Sequence, residues 1–151
     1  MKYMGFVFST NDFRYVAIEG SLNSPVFIEK QKITYPQSNN VSEHCVWMET
    51  QLSLLLSKHS PDFVGHKATI NLKKFNQMQG TYYSESILYL ICGKRNIPIE
   101  HFFKQSIVPK KFNLPKGSDL NTFLDTKIGQ HPPHWDETTR TAALIAFLLM
   151  E

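Results

Sequence analysis

Four acids are the first candidates for hydrolytic chemistry in this chain: Asp12, Asp62, Asp136 and Glu137. Carboxylates can hold hard divalent cations and so activate water, but only where several converge, and each of these four has a simpler use. Asp12 closes the turn-forming run Ser9-Thr10-Asn11-Asp12, where aspartate bonds to nearby backbone, and Asp62 opens a strand directly after Pro61. Asp136 and Glu137 stand at the start of a helix, where negative charge offsets unsatisfied amides for about 0.3–1 kcal/mol, so we read them as caps. The histidines are no more promising. His131-Pro132-Pro133-His134-Trp135 puts two imidazoles on an extended connector, which reads as a solvated loop rather than a metal site. His66 reads as a packed strand residue, and His44 and Cys45, being adjacent on a helix, point in different directions. No nucleophile, base and orienter can be assembled, and no catalytic residue, metal ligand or cofactor is expected.

The cations are more informative. Lys67 ends the apolar run Pro61-Asp62-Phe63-Val64-Gly65-His66-Lys67, and a basic-basic-aromatic pattern occurs twice, as Lys73-Lys74-Phe75 and as Lys110-Lys111-Phe112. Ammonium groups can contact phosphates and a phenyl ring can stack on an unpaired base, which marks Lys67, Lys73, Lys74, Phe75, Lys110 and Lys111 as candidate nucleic-acid contacts. The same rings could instead anchor their loops in the core while the lysines keep them solvated. The formal net charge of +3 is unevenly spread: residues 67–116 carry +7 and the rest of the chain −4. Such a block can mark a phosphate-binding face or be scattered over several solvated ones.

The elements that must position these groups follow from periodicity. Tyr3–Phe8, Phe13–Ile18 and a third run through Val26-Phe27-Ile28 and Ile33-Thr34-Tyr35 predict an antiparallel meander with turns at 9–12 and 20–25. Helical spacing from Ser42 to Lys58, with Asn40 or Ser42 as cap, predicts the first helix, and His59-Ser60-Pro61 stops it. A short central strand at residues 63–66 follows. A polar loop over Asn71–Gln79 is expected next, then a helix from about Tyr82 to Arg95 announced by Gly80-Thr81. A strand over Ile97–Phe103 has Pro98 near its start, as at a sheet margin. A short helix is expected within Asp119–Thr126 and a final one that opens at Asp136-Glu137-Thr138-Thr139 and reads Thr141 to Leu149, apolar nearly all round and therefore buried.

With 151 residues and 42% hydrophobic content, the chain is expected to form one domain over residues 1–151. No apolar run is long enough to span a bilayer, the start does not read as a signal peptide, and Cys45 and Cys92 are each isolated. A cytoplasmic protein with free thiols and no membrane association is expected.

This order, three antiparallel strands, helix, strand, helix, strand and a terminal helix, resembles the ribonuclease-H-like fold in its RuvC resolvase branch. Met4-Gly5-Phe6-Val7 resembles the first-strand signature of that branch and residues 61–67 its fourth strand. Asn96-Ile97-Pro98-Ile99 and Ile107-Val108-Pro109-Lys110-Lys111 resemble its strand and basic segment, and Thr141-Ala142-Ala143-Leu144-Ile145-Ala146 its alanine-rich last helix. The chain is also similar to an uncharacterised bacterial domain family on this fold that carries a lysine on the fourth strand.

The resemblance implies an α/β fold with a mixed five-stranded sheet, three strands antiparallel and two parallel, flanked by helices. Active members carry acids on the first strand, the fourth strand and the last helix, holding two magnesium ions about 4 Å apart. The matching positions here are Val7, Lys67 and the neighbourhood of Thr138 and Thr141. The implied function is a catalytically degenerate domain that binds DNA or RNA, or serves in a nucleic-acid-handling complex. One alternative is a protein-interaction or homo-oligomer module using Tyr82, Tyr83, Phe102, Phe103 or Trp135, and another is a residual metal-dependent nuclease. Lys67 is expected to fill the space of a lost metal, held by Asp136 or Glu137.

Overall fold

The computed structural model describes residues 1–69 and 75–150, with residues 75–79 described by their backbone alone. The first three strands are β1 (Lys2–Phe8), β2 (Asp12–Ser21) and β3 (Ser24–Thr34), all antiparallel neighbours. Helix α1 (Val41–His59) leads to β4 (Phe63–Lys67), helix α2 (Phe75–Arg95) to β5 (Ile99–Phe102), and both of these strands run parallel to β1. Two single 3₁₀ turns, Lys104–Ser106 and Pro109–Phe112, precede α3 (Leu120–Ile128) and α4 (Glu137–Leu148). The sheet order is β3-β2-β1-β4-β5, so β1 lies at its centre.

Because a strand alternates its side chains, β1 serves two cores at once. Met4, Phe6 and Phe8 pack with Leu52 and Leu56 of α1 and Leu88 of α2, whereas Tyr3 and Val7 pack with Ala143, Ile145 and Phe147 of α4. The second face is unusually flat. Gly5 of β1 and Gly65 of β4 sit side by side in register, and a Cβ at Gly5 would overlap the Ala142 carbonyl oxygen, which brings α4 backbone directly onto the sheet. Glycine within a strand marks such close approaches.

The chain departs from its periodicity in two places. Helix α2 starts at Phe75 rather than near Tyr82, inside the stretch expected to be a polar loop. Gly80 and Thr81 are therefore interior: the Thr81 hydroxyl is fully buried and donates to the Ser9 carbonyl oxygen at 3.0 Å, fixing the β1–β2 turn instead of capping a helix. Strand β5 is shorter than expected because Pro98 cannot donate to the ladder, although its carbonyl accepts from the Val64 amide at 3.0 Å. Of the two candidate caps for α1, Asn40 takes the role, its side chain accepting from the Glu43 amide at 3.2 Å.

One polar joint ties β2, β3 and α1 together. Glu29 accepts from Tyr15 Oη at 2.6 Å and Lys58 Nζ at 2.8 Å, and lies 2.7 Å from His59 Nε2. Burial works against the Glu29 charge, but the bonds from Lys58, Tyr15 and His59 outweigh it and hold the carboxyl at about 2, against an ordinary 4.5. A carboxylate with a depressed pKa in the folded state stabilises that state above its unfolded value and loses the contribution as pH falls. We therefore expect wild type to lose about 2 kcal/mol relative to Glu29→Gln between pH 4.5 and pH 2. Urea midpoints across that window measure it, and parallel curves for the two proteins would contradict it.

Candidate nucleic-acid interface

The carboxyl ends of β1 and β4 meet the amino end of α4, and charged side chains gather there. Val7, on β1, is 2% exposed and lies directly opposite Arg14 of β2. Being in register, the two share the face toward α4. Arg14 is itself buried, and its Nη1 bonds to Asp136 Oδ1 and, at 3.1 Å, to Thr139 Oγ1. Its Nε faces Asp12 Oδ1 at 3.5 Å, and neither atom has a hydrogen-bond partner among the described residues. A guanidinium thus joins the β1–β2 turn to the first turn of α4.

Asp136 is the N-cap of α4, accepting from the Thr139 amide at 3.1 Å, as the sequence predicts. Burial opposes its charge, but Arg14 and the Thr139 amide and hydroxyl hold its carboxyl below the ordinary range. Glu137 is bound by Lys104 Nζ at 2.9 Å and by Asn121 Nδ2 at 3.1 Å, and Lys104 also reaches Thr141 Oγ1 at 3.2 Å. These bonds, that from Lys104 foremost, keep the Glu137 carboxyl low.

Lys67 ends β4 half-buried, and neither acid of α4 holds it as expected. Arg14 has taken Asp136 and Lys104 has taken Glu137 because both cations approach α4 directly, one from β2 and one from the turn after β5. The charges that act on Lys67 are Lys104 and Glu85: burial and the Lys104 charge push its pKa down, while Glu85 pulls it up. Glu85, on α2, is driven up to about 7 chiefly by burial, and its Oε1 lies 4.0 Å from Nδ1 of buried His66. The His66 ring is pushed down to about 4 by burial, and its Nε2 meets Tyr89 Oη at 2.9 Å, the packed strand histidine that the sequence predicts. Lys30 completes the group, donating to the Pro133 carbonyl oxygen at the entry to α4.

The other candidates are dispersed. Lys73 and Lys74 lie outside the described residues, and Phe75 opens α2. Lys110 and Lys111 are exposed on the second 3₁₀ turn, and half-buried Phe112 packs against Phe123 with ring centroids 5.5 Å apart. Asp62 Oδ2 accepts from the Lys2 amide at 2.8 Å, a strand-opening role. Within the His131–Trp135 connector Pro132, Pro133 and His134 are exposed, as the sequence predicts, while both ends are anchored: His131 stacks on Phe27 and donates to the Ile128 carbonyl oxygen at 2.6 Å, and Trp135 donates to Asp125 at 2.7 Å. Among the described residues no three His, Cys, Asp or Glu side chains are grouped to hold a metal ion, and no helix is long and apolar enough to cross a membrane.

Arg14, Lys30, Lys104 and Glu85 were missed from the sequence. Arg14 had a usable signal, since strict alternation from Val16 and Ile18 puts it on the same inward face of β2. Lys104 had none, because the turn that aims it is irregular.

No protein-family model and no curated protein sequence matches this chain. Among solved structures it is similar to Thermus thermophilus RuvC in complex with a Holliday junction substrate, with a TM-score of 0.79 at 9% identity over 98% of this chain and 91% of that one. It is similar to Thermus thermophilus RuvC in a second structure, with 0.77 at 9% identity over 98% and 92%. It is also similar to the yeast mitochondrial Holliday junction resolvase Ydc2, with 0.74 at 14% identity over 98% and 77%. At such identities the likeness is one of fold, and a mixed sheet of three antiparallel and two parallel strands flanked by four helices is the RuvC-like ribonuclease-H fold.

Proposed function

We propose that residues 1–151 form a single RuvC-like domain that binds DNA or RNA, alone or within a nucleic-acid-handling complex, and does not cut it. The observation that carries this reading is the grouping of Arg14, Lys67 and Lys104 where β1, β4 and α4 converge. The groups present do not fit a pair of magnesium ions. Val7 offers no donor, Lys67 would repel a cation, and the two acids of α4 are already neutralised by Arg14 and Lys104. Lys67, held by neither acid of α4, and half-exposed Lys104 beside it can meet a phosphate instead. The solved relatives named as Holliday junction resolvases make branched DNA the first ligand to test.

The test is fluorescence anisotropy of labelled four-way DNA junction, duplex and single-stranded RNA across a salt series. The Lys67→Glu/Lys104→Glu variant is expected to weaken binding on the order of thirtyfold at low salt and to flatten the slope of log affinity against log salt, by about 0.9 per lost duplex phosphate contact. Unchanged affinity would sink the assignment of this interface. Incubation with magnesium or manganese is expected to leave the junction intact, and cleavage abolished by Asp136→Asn would overturn the non-cutting part.

A second reading, the interaction module, rests on the outer face of the α1–α2 pair, where Val46 and Leu54 are 67% and 61% exposed and Leu90 is 49% exposed. A self-associated species by light scattering, dispersed by Val46→Glu/Leu54→Glu, would favour it.

A further inference from the structure

Along the β5 edge, reaching the carboxyl end of α4 at Phe147 and Leu148, lies a cavity of about 630 Å³, walled by Phe102 and Phe103 at the end of β5, Phe112 of the second 3₁₀ turn and Phe123 of α3. Its cations are Lys111 and Lys127, both exposed, and its one acid is Glu100. The aromatic wall has a firm backing. Phe112 rests on Phe123 at 5.5 Å between centroids, and Phe123 rests on Phe147, a core residue 1% exposed, at 6.0 Å. Rings held by the core lose little freedom when a ligand lands on them. Phe103 presents the open side, 36% exposed.

The position matters as much as the lining. Phe102 pairs with Lys67 across β4 and β5, and Lys104 follows Phe103 directly, so the end of β5 leads from the cavity toward the proposed phosphate contacts, which do not themselves line it. Planar π surfaces with cations at the rim complement a nucleobase carrying its phosphate. The volume exceeds that of a single base and falls in the range of pockets that enclose a whole small ligand.

We infer that this cavity takes an unpaired nucleotide: its base stacks among Phe103 and Phe112, and its phosphates lie toward Lys104 and Lys111. The inference rests on the nucleic-acid reading and adds that the ligand has an unstacked base. Duplex phosphates alone would not use the rings.

The full chain is titrated at low salt with labelled oligothymidylate and with an abasic tetrahydrofuran oligomer of the same length, which keeps the phosphates and removes the bases. Wild type is expected to bind the thymidine probe about tenfold more tightly, base–aromatic stacking being worth that much or more per base. Phe103→Ala removes an exposed ring without touching the core and should bring the ratio toward one, with abasic affinity unchanged. Lys111→Glu should weaken both probes together. Equal wild-type affinity for the two probes overturns the pocket and leaves the phosphate interface standing. A thymidine preference that survives both Phe103→Ala and Phe112→Leu places the stacking elsewhere and also overturns it. Binding of neither probe, nor of the junction, overturns both readings.

Discussion

Gly5→Ala is expected to destabilise the protein by about 4 kcal/mol, beyond the usual range for overpacking. The added methyl would overlap the Ala142 carbonyl oxygen and stand 2.9 Å from its carbonyl carbon and 3.0 Å from the Ala146 amide nitrogen. These are backbone atoms of α4, so no rotamer change relieves them and the helix must lift from the sheet. Gly65→Ala provides the contrast. Its methyl would meet side-chain rather than backbone atoms, Ile145 Cγ2 at 2.7 Å and Phe102 Cε2 at 3.1 Å, so the side chains must repack while the α4 backbone can stay, and about 2 kcal/mol is expected. Urea denaturation of the two variants checks the order. If Gly5→Ala proves the milder, α4 does not rest where the packing places it. Lifting α4 also carries Asp136 and Glu137 away from Arg14 and Lys104, so the strand glycine supports the interface at a distance.

Arg14→Ala is the second large effect, with an expected loss of about 3 kcal/mol. Breaking a buried ion pair costs about 3–5 kcal/mol when both partners are dry, and the half exposure of Asp136 places this pair at the lower end. Asp136→Ala should cost at least as much, about 3 kcal/mol, since it loses the cap as well as the pair and leaves buried Arg14 with only the Asp12 carboxylate beside it. Both single variants abolish the same contact, so the double variant should fall short of their sum by about 1 kcal/mol or more. Arg14→Lys is not expected to rescue stability, because an ammonium cannot span Asp136, Thr139 and the Asp12 side as the guanidinium fork does. Carboxyl resonances give a second readout: in Arg14→Ala the Asp136 pKa should rise from its depressed value toward the ordinary 3.8. Its stabilising contribution in wild type is present above that value and lost as pH falls below it. Additive losses, or an Asp136 titration indifferent to Arg14, would show the pair to be inert.

The element order, the Asn40 and Asp136 caps and the buried last helix were legible because each rests on local chemistry: a side chain bonding an amide three residues on, or apolar residues at helical spacing. The antiparallel and parallel halves of the sheet followed from connection lengths, hairpin turns on one side and helical crossovers on the other. What stayed hidden was long-range. Arg14 meets Asp136 across 122 positions, and Lys104 meets Glu137 across 33. Which cations would claim the acids of α4 could not be read from the sequence. The start of α2 was misplaced for the same reason, since glycine and threonine form a plausible cap until the Thr81 hydroxyl is seen to reach Ser9.

The Arg14 charge at the joint between β2 and α4 is covalently attached to the chain. A coordinated ion comes and goes with its supply, can be stripped by a chelator and can be displaced by a competitor of similar size. The guanidinium can do none of these. The tie between β2 and α4 is thus a permanent feature of the polypeptide, made by a side chain rather than by anything the chain must recruit.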